Sequence, residues 1–146
     1  MTQPGFDSRI EQFFDYLDTM VERFTAIKRE CLQDYRGLSL QALMAVRVIG
    51  KKESCIMREV AASLQLAVNT ATTLVDKLVA MELVVRHRSD EDRRIVKVAL
   101  TEKGKDVFLA DREVHKGFTR AMLNTLDEAE QEIFISLMRK ISKNLK

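Results

Sequence analysis

The chain has 146 residues, 46% of them hydrophobic and 32% charged, with a formal net charge of +2. That length suffices for one core of ordinary domain size, and the composition is that of a soluble globular protein. No run approaches the roughly 18 uninterrupted apolar residues of a membrane span, and no basic segment leads into an apolar one near Met1, so the cytoplasm is the expected location. The near-neutral balance does not announce nucleic acid, and a charged partner has to be argued from local patterns.

Pro4 is the single proline, which leaves the rest of the chain free of the residue that most often breaks helices. Ile10, Phe13, Phe14, Leu17, Met20, Val21, Phe24, Ile27, Cys31 and Leu32 recur at helical spacing and predict one helix from about residue 7 to about 34, ended by Gly37. Ser39 is placed to cap the next helix, with Leu38 packing on Leu43 as a hydrophobic staple. That helix is expected to run to about Arg47 or Val48 and to be closed by Gly50 and the Lys51-Lys52-Glu53-Ser54 loop. Met57, Val60, Ala61 and Leu64 mark a shorter helix, whose small Ala61 and Ala62 permit a close crossing.

From about 67 to about 82, Ala71, Leu74, Val75 and Leu78 fall on one stripe and leave Asn69, Thr73, Asp76 and Lys77 opposite. Two such helices in succession make a helix-turn-helix. Leu83 to Arg88 and Ile95 to Leu100 are rich in β-branched and basic residues and flank the turn Ser89-Asp90-Glu91-Asp92-Arg93-Arg94. A hairpin in that place is a wing. Thr101 can cap a helix from about 102 to about 123, and Asp127 with Glu130 forms a capping-box pair that opens a last helix ending near 144.

Charge is concentrated locally. Arg86, Arg88, Arg93, Arg94, Lys97, Lys103 and Lys105 crowd the wing and its exit, partly offset by Asp90, Glu91, Asp92 and Glu102, while Arg139, Lys140, Lys143 and Lys146 collect at the C-terminus. Such a run is often only a solvated face, but here it follows a helix-turn-helix pattern. Val107, Ala110, Val114, Phe118 and Ala121 line one stripe of the terminal helices, and Ile133, Leu137, Ile141 and Leu145 line another. A second copy is the natural cover for them, an intramolecular bundle being the alternative. Two-fold symmetry would also set two recognition helices about one turn of DNA apart.

Several of these segments together resemble the MarR (multiple antibiotic resistance regulator) family of winged-helix regulators: the run Cys55 to Ala61, Thr70 to Leu78 ending in Leu-Val-Asp-Lys-Leu, Leu83-Val84-Val85-Arg86, the turn ending in Asp92-Arg93-Arg94, and Leu100-Thr101-Glu102-Lys103-Gly104. The resemblance covers nearly the whole chain. It implies a mainly α fold with a small β-hairpin wing: one domain over 1–146, with a winged helix-turn-helix DNA-binding region at 38–101 and dimerisation helices at 7–35 and 102–146. The implied activity is sequence-specific binding of double-stranded DNA, as a homodimeric, ligand-responsive repressor on a palindromic operator.

A recognition helix enters the major groove N-terminus first, so Val68, Asn69, Thr70 and Thr73 are expected near base edges, with Val68 suited to a thymine methyl, Asn69 to adenine, and Lys77 to phosphate. Ser39 and Gln41 are further phosphate candidates, capping and solvent being their plainer roles. Arg94 resembles the family's minor-groove arginine, with Asp92 holding its guanidinium and Arg93 reaching phosphate or sharing the groove. The chain departs from the family pattern at four positions: Ala67 replaces a capping Ser, Thr73 an Arg, Glu82 a helix-ending Gly and Ile56 a capping Thr.

Family members often release DNA when a small aromatic or anionic compound binds between the dimerisation helices and the winged region, and Tyr16, Tyr35, Met44 and Arg47 are the candidates to line such a site. Cys31 and Cys55 are read as inert packing, and His87 and His115 are too separated for a metal site, so no metal or cofactor is expected. There is no glycine-rich phosphate loop or nucleophile elbow, and catalysis is not expected. The rival reading is a winged-helix protein-interaction or assembly module whose wing arginines are merely solvated. Salt separates the two, since neutralised phosphates make affinity fall steeply as salt rises.

Overall fold

A computed structural model describes residues 5–35 and 37–145; Pro4 and Lys146, named above, lie outside them. The elements in order are α1 (Phe6–Cys31), a 3-10 turn (Gln33–Tyr35), α2 (Leu40–Lys52), β1 (Ser54–Ile56), α3 (Met57–Leu64), α4 (Val68–Ala80), β2 (Val84–Arg88), β3 (Val96–Leu100), α5 (Glu102–Leu123) and α6 (Glu128–Asn144). The sheet is antiparallel in the order β1-β3-β2. The fold is therefore mainly helical with a small winged sheet. Among the described residues no helix is long and apolar enough to cross a membrane.

The chain divides into two compact units, one reaching to Arg112 and one beginning at Glu113. In the first, α2, α3 and α4 pack on one another and on the sheet. Val46, Ile49, Cys55, Val60, Val75, Leu78, Leu83, Val98 and Val107 are fully buried there. Each large aliphatic removed from water contributes about 1.5–3 kcal/mol, and that sum holds α4 in place. All four residues of the predicted α4 stripe are buried. The second unit contains the end of α5 and all of α6, whose entry is fixed by the predicted capping box: Glu130 N–H donates to Asp127 Oδ1 and Asp127 N–H to Glu130 Oε2, both at 2.9 Å.

Several boundaries differ from the sequence reading. α1 ends at Cys31, well before Gly37, because the chain tightens into the 3-10 turn and buries Leu32, whose N–H donates to Lys28 O. Cys31 is consequently exposed rather than packed, while Cys55 is buried. Burial raises the Cys55 thiol pKa, neighbouring Glu59 adds to the rise, and the side chain stays a protonated hydrophobe.

α2 does not stop at Arg47 or Val48 but runs through Gly50 to Lys52. Gly50 is a packing residue: a Cβ there would sit 2.6 Å from the Phe108 ring. The helix ends instead at Glu53, which takes φ 63°. β1 was not foreseen. Its three residues are too few to show periodicity, and pairing with β3 (Ser54 with Ala99, Ile56 with Lys97) is what makes them a strand.

The apolar stripes behave unequally. On α5, Val107 and Val114 are buried, Ala110 and Phe118 are half-buried and Ala121 is exposed. On α6, Ile133, Leu137 and Ile141 are exposed, as are Leu145 just past its end and Ile10, Phe13, Phe14, Leu17 and Val21 on α1.

Candidate nucleic-acid interface

α4 presents Val68, Asn69, Thr70, Thr73 and Lys77 to solvent on the side away from its buried stripe. Ala67 stands at the N-cap and supplies no side-chain bond, as its methyl requires. Thr72 Oγ1 donates to Val68 O at 2.8 Å and Thr73 Oγ1 to Asn69 O at 3.1 Å. With its hydrogen engaged, Thr73 offers a neighbour only its oxygen lone pairs, a narrower capability than the Arg it replaces. Asn69 keeps both an amide donor and a carbonyl acceptor.

α3, the first helix of the pair, starts with Ile56, which lacks an acceptor, yet its N–H donates to Glu59 Oε2 at 2.9 Å. That backbone bond is the main reason the Glu59 carboxyl lies below its ordinary pKa, with Lys52 assisting. Half of a capping box thus survives the replacement of Thr by Ile. α3 closes with Gln65 in the left-handed region, and Leu66 N–H reaches back to Ala61 O at 2.9 Å.

The wing turn is held by short-range bonds. Ser89 is buried; its N–H donates to Ile95 O at 2.9 Å and its hydroxyl oxygen accepts from Glu91 N–H at 3.3 Å. Asp92 Oδ1 accepts the backbone N–H of Arg94 at 2.9 Å, so Asp92 grips the turn and not the Arg94 guanidinium. Arg88 Nη1 donates to Arg93 O at 2.7 Å. Arg93 and Arg94 are exposed, and neither guanidinium meets an acid among the described residues.

The basic cluster is smaller than a count of charges suggests. Lys103 Nζ donates to Met81 O at 3.0 Å, Lys105 pairs with Glu102 at 2.7 Å, and Arg86 is joined to Asp76. The Asp76–Arg86 pair was not anticipated, although Asp76 was read on the polar side of its helix and Arg86 in the basic cluster of the wing. It ties the polar side of α4 to the first wing strand and neutralises the one acid on that side of the helix.

Glu82 sits where the family has glycine, and it does adopt a left-handed φ of 60°. Such a residue costs about 1–2 kcal/mol. Three bonds gather on this corner: Thr101 Oγ1 to Glu82 O at 2.6 Å, Thr101 N–H to Leu83 O at 3.1 Å, and Lys103 to Met81 O. At about 1 kcal/mol net apiece they offset the strain. Gly104 is required by the same approach, since a Cβ there would lie 2.0 Å from Leu83 O. Thr101 Oγ1 also accepts Gly104 N–H at 3.0 Å, the predicted cap of α5. The Leu100–Gly104 run is thus a lock on the end of α4.

At the start of α2, Ser39 Oγ accepts Ala42 N–H at 3.1 Å and caps the helix, leaving its own hydroxyl hydrogen to donate outward. Gln41 is exposed beside it. Behind them a cavity of about 630 Å³ opens between α1 and α2, lined by Phe24, Lys28, Leu32, Tyr35, Leu38 and Leu43 among others. Of the ligand candidates Tyr35 lines it, whereas Tyr16, Met44 and Arg47 do not; Tyr16 and Met44 are exposed and Arg47 binds Asp111. The staple pair Leu38 and Leu43, read from sequence as helix-entry packing, was the signal for this wall.

Beside the cavity lies Asp111 of α5, only 2% exposed. Lys28 Nζ stands 2.7 Å from its Oδ1, and Arg47 binds Oδ2 through Nε at 3.1 Å and Nη2 at 2.7 Å. Burial by itself pushes the Asp111 carboxyl up, but the bonds from Lys28 and Arg47 outweigh it and hold the pKa below the ordinary value. Sequence reasoning did not find this residue, because a lone Asp on a helix carries no sign of its partners.

Residues 36–95 match the model of the MarR family. The HTH-type transcriptional regulator BilQ of Clostridium symbiosum is 33% identical over 92% of this chain and 93% of its own length. Among solved structures, FabT of Streptococcus pneumoniae in complex with DNA superimposes with a TM-score of 0.80 at 22% identity, over 94% of this chain and 99% of FabT. A MarR family protein from Bacillus stearothermophilus gives 0.75 at 22% identity over 99% of both chains. With the helix-turn-helix, the three-stranded wing and these likenesses together, the chain belongs to the MarR family of helix-turn-helix transcriptional regulators, which are not enzymes.

Proposed function

We propose that this regulator is a ligand-responsive repressor that binds a palindromic operator as a homodimer, each copy reading one half-site with α4 and its wing. The observation that supports the reading is that the two elements assigned to DNA are exposed and joined: the polar side of α4 is open, Arg93 and Arg94 are exposed on a turn held by Ser89 and Asp92, and Asp76–Arg86 links the two. FabT, which has the same fold, was solved on DNA. The exposed apolar residues of α1 and α6 support a second copy as partner, and the cavity between α1 and α2 supports an effector.

In this reading Asn69 discriminates bases, with Val68, Thr70 and Thr73 beside it. Lys77, Ser39, Gln41 and Arg93 meet phosphates, and Arg94 enters the minor groove. The test is a titration of wild type, Asn69→Ala and Arg94→Ala against a duplex selected by the protein from a random pool and against an unselected duplex, at two salt concentrations. Arg94→Ala should weaken both and make the salt dependence shallower by about one phosphate. Asn69→Ala should cost the selected duplex about 1–3 kcal/mol and leave the other unchanged. A wild-type protein that enriches no duplex from the pool would instead favour the protein-interaction role.

A further inference from the structure

We propose that Arg88 is a positioning residue of the wing: it clamps the peptide that joins Arg93 to Arg94, so that the two guanidinia leave the turn in a set direction and read the shape of a minor groove. This rests on the reading above in which Arg94 enters that groove. It gives Arg88, counted from sequence in the basic cluster, a role other than contact with DNA.

The geometry converges on one peptide group. Residues 89–95 join β2 to β3, and Arg88, paired with Val96, is the last residue of the ladder before them. From that anchored backbone its Nη1 donates to Arg93 O at 2.7 Å. The N–H of the same peptide belongs to Arg94 and donates to Asp92 Oδ1 at 2.9 Å. A peptide group is planar, so holding its C=O from one side and its N–H from the other fixes the plane, and with it the points from which both arginine side chains start. The rest of the turn is braced from within. Ile95 N–H donates to Asp92 O at 2.9 Å, and Ser89, only 3% exposed, is joined to Ile95 O and Glu91 N–H. The guanidinium of Arg88 is the charged donor of this set, and a charge-assisted bond is the stronger kind.

What the clamp supplies is direction, not charge. Attraction to phosphate acts from many directions and survives in a loose turn, whereas a long, rotamer-rich side chain enters a narrow groove at lower cost when its starting point is already set. A·T runs have the narrow, strongly negative minor groove that favours an inserted arginine. A held Arg93–Arg94 peptide therefore prefers such a groove to a wider G·C one. A freed peptide keeps the attraction and loses the preference. Arg88 and Asp92 carry opposite charges yet hold the same peptide, which separates the two effects.

The experiment uses the full chain and the selected duplex. The minor-groove stretch that the wild type protects from hydroxyl radicals, and Arg94→Ala does not, is made all A·T in one version of that duplex and all G·C in another; an unselected duplex reports general affinity. The wild type should favour the A·T version about tenfold. Arg88→Met and Asp92→Ala should each reduce that preference to about twofold, although on the unselected duplex the first should bind more weakly and the second more tightly. Asp92→Asn, whose amide oxygen still accepts Arg94 N–H, should keep the preference. A role that is only electrostatic would move Arg88→Met and Asp92→Ala in opposite directions. Both positions are exposed, so every variant should fold, with helix content as the check. The proposal is overturned if Arg88→Met keeps the preference, if the preference follows charge, or if Asp92→Asn behaves as Asp92→Ala does. Failure to select any duplex, or a selected duplex with no stretch protected through Arg94, overturns the DNA reading on which this rests, whereas a protected stretch that the wild type binds equally well as A·T and as G·C overturns the clamp alone.

Discussion

α1 and α4 are both amphipathic helices, and the sequence marks them by the same periodicity. In α4 the stripe of Ala71, Leu74, Val75 and Leu78 closes completely inside the chain. In α1 none of 26 residues is buried, although Phe13 and Phe14 alone leave about 60% of their surfaces open. α6 resembles α1 in having no buried residue. A stripe identifies a helix, but only the surroundings decide whether its apolar side is satisfied at home. α4 is a finished part of a folded region; α1 and α6 are faces awaiting a surface, here read as a second copy.

The strongest way to break that contrast is to charge one of the open faces. Leu137→Asp with Ile141→Asp should convert dimers to monomers by sedimentation, because a carboxylate forced into an apolar interface has no partner there. Since both positions are exposed in the single chain, the helix content of the monomer should hold. A double variant that sediments like the wild type would remove α6 from the interface.

The reverse experiment truncates the closed stripe. Leu78 is wholly buried, so Leu78→Ala should cost about 3–4 kcal/mol in denaturant unfolding, cavity included. Phe13→Ala, at an open position, should cost well under half of that in protein diluted below the dimer dissociation constant. Equal losses would mean that α1 is covered within the chain.

Between these extremes stands the Asp111 cluster, a buried site made of charge. Asp111→Asn should cost about 3 kcal/mol at neutral pH, the lower end expected when one partner of a buried ion pair is removed, because Arg47 keeps some contact with water. The sign with pH is fixed by the depressed carboxyl. Its contribution is fully present above the unfolded carboxylate pKa and is lost as pH falls through the lower folded value. The difference between wild type and Asp111→Asn should therefore shrink in acid, below the ordinary carboxylate range, and hold above it; urea melts of both proteins from neutral pH down into acid measure it.

The same division explains what could be read in advance. The helix pair, the wing, the α4 stripe and the Asp127–Glu130 box were legible, since each is encoded by neighbours in sequence. β1 was not, because three residues carry no period and its register comes from β3, more than forty residues on. Gly50 was misread as a stop: its role is set by Phe108, a ring that sequence spacing cannot bring near. At the candidate interface Asn69, Thr73, Asp76 and Lys77 were read on the side of α4 opposite its apolar stripe and are exposed there, but Lys103, counted in the basic cluster of the wing and its exit, holds Met81 O. The cavity was guessed through Tyr35 alone, since its other walls are ordinary helix and staple residues whose convergence is a tertiary event.

The smallest test concerns the two ends of α4, where the chain departs from its family in ways that should cost stability without touching the surface proposed to meet DNA. Ala67→Ser restores a hydroxyl at an N-cap that makes no side-chain bond and should gain about 1 kcal/mol. Glu82→Gly removes a side chain from a residue at φ 60° while leaving the Glu82 and Met81 carbonyls free to accept from Thr101 and Lys103, and should gain a similar amount. The sites lie at opposite ends of a 13-residue helix, about 20 Å apart, so the gains should add. For a chain of this length the double variant should melt about 4–8 °C higher. If Ala67→Ser stabilises and Glu82→Gly does not, the strain at Glu82 is already relieved by the bonds of Thr101 and Lys103, and removing those by Thr101→Val should then make the glycine substitution stabilising.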